Sequence, residues 1–201
     1  MIGLKNYYWY WEGALPKKTC EQIIKFCKKE NKEKAKTQAQ SENLNFKDTA
    51  RNSDIRWINS PWIYNEIMPF VHSANKSAGW NFDIDWCESI QFTEYKSNQY
   101  YGWHADNYSE PFGDKYHRNY RGKVRKISVT VNLSDPKNYD GGDFQIDTRN
   151  SQKGNAITTV KNVKTQGSIL VFPSFIFHQV TPVIRGERDS LVIWNIGSPW
   201  K

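Results

Sequence analysis

The chain has 201 residues, with 28 lysines and arginines against 21 acidic residues and a formal net charge of +7. Apolar side chains make up 38% and aromatic ones 15%, which excludes collagen-like, coiled-coil and wholly disordered chains. The length suits one compact domain, and no apolar run approaches the roughly 18 to 20 residues that span a bilayer. The N-terminal stretch lacks a basic start followed by an apolar segment and a cleavage site, which predicts a cytoplasmic protein. Cys20, Cys27 and Cys87 form no close pair, and an odd count argues against a disulfide framework. The positive balance admits anionic partners, nucleic acid among them, but the lysines are dispersed and a solvated surface is the simpler reading.

In chain order, residues 16–34 read as an amphipathic helix. Pro16 suits its first turn, and Ile23, Ile24 and Cys27 recur at helical spacing, with Cys20 and Cys27 as small core residues. Residues 33–48 offer almost nothing to bury and read as a mobile loop. A second helix is predicted after Ser60-Pro61, carrying Trp62, Ile63, Ile67, Phe70, Val71 and Ala74, interrupted by Pro69 and ending near Gly79. From Asp83 the texture changes to short β-branched and aromatic runs separated by turn residues. Eight strands are predicted: 87–95, 99–104, 124–133, 143–147, 156–160, 168–172, 177–182 and 190–196. That spacing suggests a mainly β jelly roll (a double-stranded β-helix), with residues 1–82 as helical support and 83–201 as the core of a single domain. Gly141-Gly142 stand alone in a turn, so no phosphate-binding glycine loop is present.

Four histidines occur, at 72, 104, 117 and 178. Asp106 follows His104 by two positions, and in an extended backbone such residues project from one face. His178 closes the apolar run SILVFPSFIFH, where the plain alternative is a core histidine satisfied by hydrogen bonds. In a jelly roll, distant strands pair, so two imidazoles and one carboxylate can converge on one side of a cation. Such a set leaves coordination positions open, which suits non-haem Fe(II) better than a closed structural zinc. Arg188 follows across a turn, with Ser190, Val192 and Trp194 at even offsets on its face. Its planar fork suits the far carboxylate of a dicarboxylic acid, with the Ser190 hydroxyl beside it; the alternative is an ordinary surface arginine. His72 falls in a helix as a structural residue, and His117 lacks a carboxylate partner.

These features carry a family resemblance. With HAD at 104–106, LSDPKNYDGGDF at 133–144, FPSFIFHQVTPV at 172–183 and RGERDSLVIW at 185–194, the chain resembles the Fe(II)- and 2-oxoglutarate-dependent dioxygenases. It is most similar to their prolyl 4-hydroxylase-like branch in bacteria and phages, and a phage gene would place it in the host cytoplasm. The resemblance implies Fe(II) held by His104, Asp106 and His178, and 2-oxoglutarate anchored at Arg188. It also implies O₂ as oxidant and admits ascorbate as a supporting reductant. Tyr95 matches a family position whose phenol bonds the co-substrate, and Trp194 matches an aromatic lining the pocket, though both also read as core aromatics. Collagen-type enzymes usually have lysine at the Arg188 position, so a close tie to collagen-type substrates is not implied.

The implied reaction is hydroxylation of a C–H bond, foremost of a prolyl residue in a peptide or protein, with release of succinate and CO₂. Hydroxylation of a free amino acid is the alternative within that chemistry, and a metal-binding jelly-roll module without turnover is the alternative outside it. Nucleic-acid demethylation ranks last, because that branch places its arginines farther apart than Arg185 and Arg188. The segment between Asp106 and Val124 is assigned to substrate contact through Tyr108, Phe112, Tyr116, Arg118, Tyr120 and Arg121, with decoration of a surface loop as the plain alternative. No membrane role is indicated.

Overall fold

The computed structural model describes residues 4–36, 50–108, 110–148 and 157–200. Its major sheet runs in the order β1 (Trp9–Trp11), β12 (Ile169–Pro173), β8 (Val124–Asn132), β15 (Arg188–Gly197), β6 (Ile90–Tyr95), β4 (Asp54–Ile58) and β2 (Glu33–Lys34), with β5 (Trp86–Cys87) also paired to β15. The minor sheet runs β11 (Ile157–Thr159), β10 (Phe144–Asp147), β13 (His178–Val180), β7 (Tyr100–His104) and β3 (Arg51–Asn52). A two-stranded ribbon joins β14 (Val183–Gly186) to β9 (Tyr139–Gly141). The architecture is the jelly roll expected from the strand spacing.

Strand alternation sorts the major sheet into two faces. Ile90 and Phe92, Ile127, Val129 and Val131, Ile169 and Val171, and Leu191 and Ile193 pack with two helices, α1 (Lys17–Cys27) and α2 (Pro61–Ser77). The helices contribute Cys20, Ile23 and Cys27, and Ile63, Ile67, Val71 and Ala74, all buried. Intervening residues of the same strands face the minor sheet: Leu170 and Phe172 join Phe144, Ile146 and Val180 in an inner cluster. This opposite face also carries buried Gln91 and Thr93, Ser128 and Thr130, and Arg188 and Ser190. One face therefore makes the core, and the other lines a polar cleft.

The structure corrects several expectations. The first helix stops at Cys27, capped by the Lys28 N–H, and Glu33–Lys34 then pairs with β4. An edge strand offers this polar segment the backbone hydrogen bonds that its side chains cannot supply. Residues 37–48 of the expected loop lie outside the described residues. Residues 1–82 are not purely helical, since β1, β2, β3 and β4 extend both sheets. These pieces and the ribbon strands β9 and β14 are two to five residues long, too short to show a period of two. Helix α2 continues through Pro69, which is exposed, as is Asn65, whose carbonyl loses its N–H partner to the proline and can bond water instead. His72 is exposed on this helix rather than structural.

Ile193 is fully buried where β15 meets the helices. Truncation by Ile193→Ala is expected to cost roughly 2–5 kcal/mol through lost burial and a residual cavity, read as a lower denaturant midpoint at unchanged slope.

Candidate active site

Antiparallel pairing of β13 with β7 sets His178 directly opposite His104, and their ring centroids lie 4.2 Å apart. Asp106 is not on a continued strand, as the two-residue spacing suggested, because β7 ends at His104. Its N–H and that of Asn107 instead donate to the Ser174 carbonyl, at 2.9 and 3.1 Å, which turns the carboxylate back between the imidazoles. His104 Nε2 lies 3.5 Å from Asp106 Oδ1, and His178 Nε2 lies 3.6 Å from Oδ2.

Backbone carbonyls set the protonation pattern. His104 Nδ1 sits 2.7 Å from the Gly102 oxygen and His178 Nδ1 sits 2.9 Å from the Ile176 oxygen. A carbonyl can only accept, so each Nδ1 carries a hydrogen, and each ring turns its Nε2 toward Asp106. Burial first, then the neighbouring His104, pushes the His178 imidazole down to about 4, so it is neutral at pH 7. Burial alone would raise the Asp106 carboxyl. Positive charge opposite it, on the His178 and His104 rings when they are protonated and on the Arg125 guanidinium, outweighs burial and holds the group well below the usual carboxylate range. Three metal-ligating groups thus converge, their ligand atoms within 4.8 Å of one another, as a divalent cation needs.

A second group of three carboxylates, Glu94, Glu187 and Asp189, differs in kind. Lys28 reaches all three, and Arg56 bonds Glu94, so that cluster already holds its own cations.

Arg188 opens β15 opposite Tyr95 of β6 and faces the cleft at 3% exposure, which rules out a surface arginine. Its Nη1 donates to Ser190 Oγ at 3.2 Å, leaving the Ser190 hydrogen free to turn into the cleft. Tyr95 is buried beneath the Arg188 guanidinium, at 5.6 Å from the ring centroid. Burial raises its phenol against the opposing pull of Arg51 and Arg188, so it remains a donor. Trp194 also lines the cleft, as do Tyr101, Phe172 and Val180.

Several residues at the site were not singled out in the sequence. Arg125 forms a fork with Glu88 at 2.6 and 2.8 Å, donates to the Asp106 carbonyl at 3.2 Å, and lies 3.9 Å from the Trp194 ring centroid. Its only sequence signal is a charge inside the β-branched run of β8. Ser174 bonds Ser128 at 2.9 Å beneath the Asp106 turn. Gly142, with φ +62°, leaves room for Arg188, since a Cβ there would lie 2.9 Å from Arg188 Cδ. Arg51 enters the cleft from β3.

The segment after Asp106 differs from an open clasp. Phe112 is buried with Tyr108, Tyr116 and Tyr120 around it, and paired backbone bonds between Phe112 and Lys123 or Gly122 close its base. Arg121 is spent on the Tyr116 carbonyl, while Arg118 and His117 are exposed and outside the cleft.

Comparison with known proteins agrees with this geometry. The sequence profile of the 2OG-Fe(II) oxygenase superfamily matches residues 90–195. The chain belongs to that superfamily. The cofactor set of these oxygenases is Fe(II), 2-oxoglutarate and O₂, and the donor set of His104, Asp106 and His178 fits such an ion. A PKHD-type hydroxylase of Shewanella baltica is 33% identical over 104 residues, 51% of this chain and 40% of that protein. One from Nitrosomonas europaea is 42% identical over 92 residues, 44% of this chain and 34% of that protein. The match therefore spans less than half the length of these relatives. Among solved structures, a collagen prolyl hydroxylase from Paramecium bursaria Chlorella virus-1 superposes with TM-score 0.67 at 20% identity, covering 99% of this chain and all of that one. A Pseudomonas putida prolyl-4-hydroxylase gives TM-score 0.70 at 18% identity, covering 95% and 93%. Both share the fold of this oxygenase.

An unfolded histidine takes up its proton near pH 6.5, about, and His178 in the folded chain only near 4. Between those values the unfolded state binds the extra proton, so stability falls as pH falls. The metal-free oxygenase is expected to lose melting temperature across that window, and His178→Gln to flatten the slope.

Proposed function

We propose that this chain is an Fe(II)- and 2-oxoglutarate-dependent hydroxylase of a prolyl residue in a peptide or protein. The observation that carries the chemistry is the convergence of two imidazole nitrogens and one carboxylate within 4.8 Å of one another, in a cleft that also holds the buried Arg188. His104, Asp106 and His178 hold the iron. Arg188, with Ser190 beside it, receives the distal carboxylate of 2-oxoglutarate through charge-assisted hydrogen bonds, and the Tyr95 phenol donates to the same molecule. Trp194 and Phe172 keep water from the reacting centre.

Bound iron supplies O₂ activation, by which 2-oxoglutarate loses CO₂, one oxygen atom enters succinate and the other enters the substrate C–H bond as hydroxyl. The protein's part is orientation. The carbonyls of Gly102 and Ile176 fix both rings, and the Ser174 carbonyl and Arg125 fix the turn that bears Asp106. The prolyl substrate is supported by the PKHD-type relatives and by the prolyl hydroxylases that share the fold. We read the chain as a single domain in which residues 1–82 support a core of residues 83–201, a reading supported by the packing of both helices on the major sheet.

Anaerobic addition of 2-oxoglutarate to the Fe(II)-loaded protein is expected to produce a visible charge-transfer band, and air to yield succinate. His104→Ala and Arg188→Ala should each abolish both, whereas a binding module would show neither in the native protein. Incubation with a peptide library containing proline, followed by mass spectrometry, is expected to reveal the gain of one oxygen atom on proline; the gain on another residue type would overturn the prolyl assignment. Gly142→Ala, which pushes a methyl group against Arg188, is expected to weaken 2-oxoglutarate binding on the order of tenfold.

A further inference from the structure

We infer that Arg51 is a second anion receptor in the cleft and that it holds a carboxylate of the substrate, which places the substrate among molecules bearing a carboxylate near the hydroxylated carbon. This rests on the hydroxylase reading above and goes beyond it.

Arg51 stands on β3, opposite Tyr101 of β7. Its guanidinium lies 4.4 Å from the Tyr101 ring centroid, and Tyr101 stacks on His104 at 3.5 Å with 13° between the planes. One aromatic ring thus separates this cation from an iron-binding imidazole. Nε is occupied by Ser53 Oγ at 3.1 Å, which fixes the fork in place. Nη2 is buried and has no hydrogen-bond acceptor, and no ion pair involves Arg51 among the described residues. A buried guanidinium nitrogen without an acceptor is costly, so a functional state is expected to supply one.

Charge balance indicates what supplies it. Fe(II) brings two positive charges, Asp106 one negative, 2-oxoglutarate two negative and Arg188 one positive, and these cancel. Glu88 cancels Arg125. Among the described residues lining the cleft, Arg51 is left over, and an anion beyond the co-substrate completes the cleft. A carboxylate fits the planar fork, whose free edge is the buried Nη2. It can come from the α-carboxylate of a free or C-terminal residue, or from an acidic side chain beside an internal one.

The test uses the Fe(II)- and 2-oxoglutarate-loaded protein without O₂, so that binding is read apart from turnover. Calorimetric titrations employ N-acetyl-L-proline, its uncharged amide, and N-acetyl-prolyl-glutamate with a blocked C-terminus. At least one carboxylate is expected to bind roughly 10- to 100-fold more tightly than the amide, and which one does so identifies the source of the group. Arg51→Gln should bring that probe to the affinity of the amide while leaving 2-oxoglutarate binding within about twofold, and Arg51→Lys should restore part of the preference. Equal affinities of all three probes for the native protein would overturn the inference. So would an Arg51→Gln variant that loses 2-oxoglutarate and keeps the probe preference, since Arg51 would then serve the co-substrate. Failure of the native protein to bind 2-oxoglutarate with Fe(II), read before any probe is added, would instead sink the hydroxylase reading and this inference with it.

Discussion

The register between β7 and β13 is the constraint on which the site depends. Because antiparallel partners lie opposite each other, one pairing brings two imidazoles from distant parts of the chain into contact. A slip of one residue would turn either ring to the other face of the sheet and leave Asp106 without its neighbours. The Ser174 carbonyl ties the Asp106 turn to the end of β12, so the two-histidine pair and the carboxylate are held by different strands of the two sheets. Their geometry follows from the closure of the jelly roll.

Alternation along the major sheet reconciles a stable core with a polar interior. Residues such as Leu191 and Ile193 bury against the helices, while Arg188, Ser190 and Trp194 on the same strand face the cleft. The apolar face supplies the stability that a cleft with buried arginines cannot. The polar groups are in turn mostly paired: Arg125 with Glu88, Arg188 with Ser190, and Ser128 with Ser174. Among the described residues lining the cleft, Arg51 Nη2 and Trp194 Nε1 are buried without an acceptor, and of the two only Arg51 carries charge.

Much of this was legible in the chain. The longer strands of the C-terminal part, such as β8, β12 and β15, are recognisable as β-branched and apolar runs, and the buried stripes of α1 and α2 follow helical spacing. His104, Asp106, His178 and Arg188 were legible as residue types at suggestive spacing. The N-terminal strands were not, because pieces of two to five residues are defined by their partners rather than by their own pattern. The aromatic segment after Asp106 reads as a clasp in sequence. Its Phe112 turned inward because three tyrosines could enclose it.

By itself, then, the sequence determined the mainly β class, the two amphipathic helices and the inventory of groups able to hold a metal and a dicarboxylate, since these depend on local periodicity and residue chemistry. Only the tertiary structure decided that His104 opposes His178, that Arg188 faces inward past Gly142, that Arg125 steadies the Asp106 turn and that Arg51 reaches the same cleft. Those relations join residues far apart along the chain. Their distances are set by strand register and sheet closure, which no local pattern encodes.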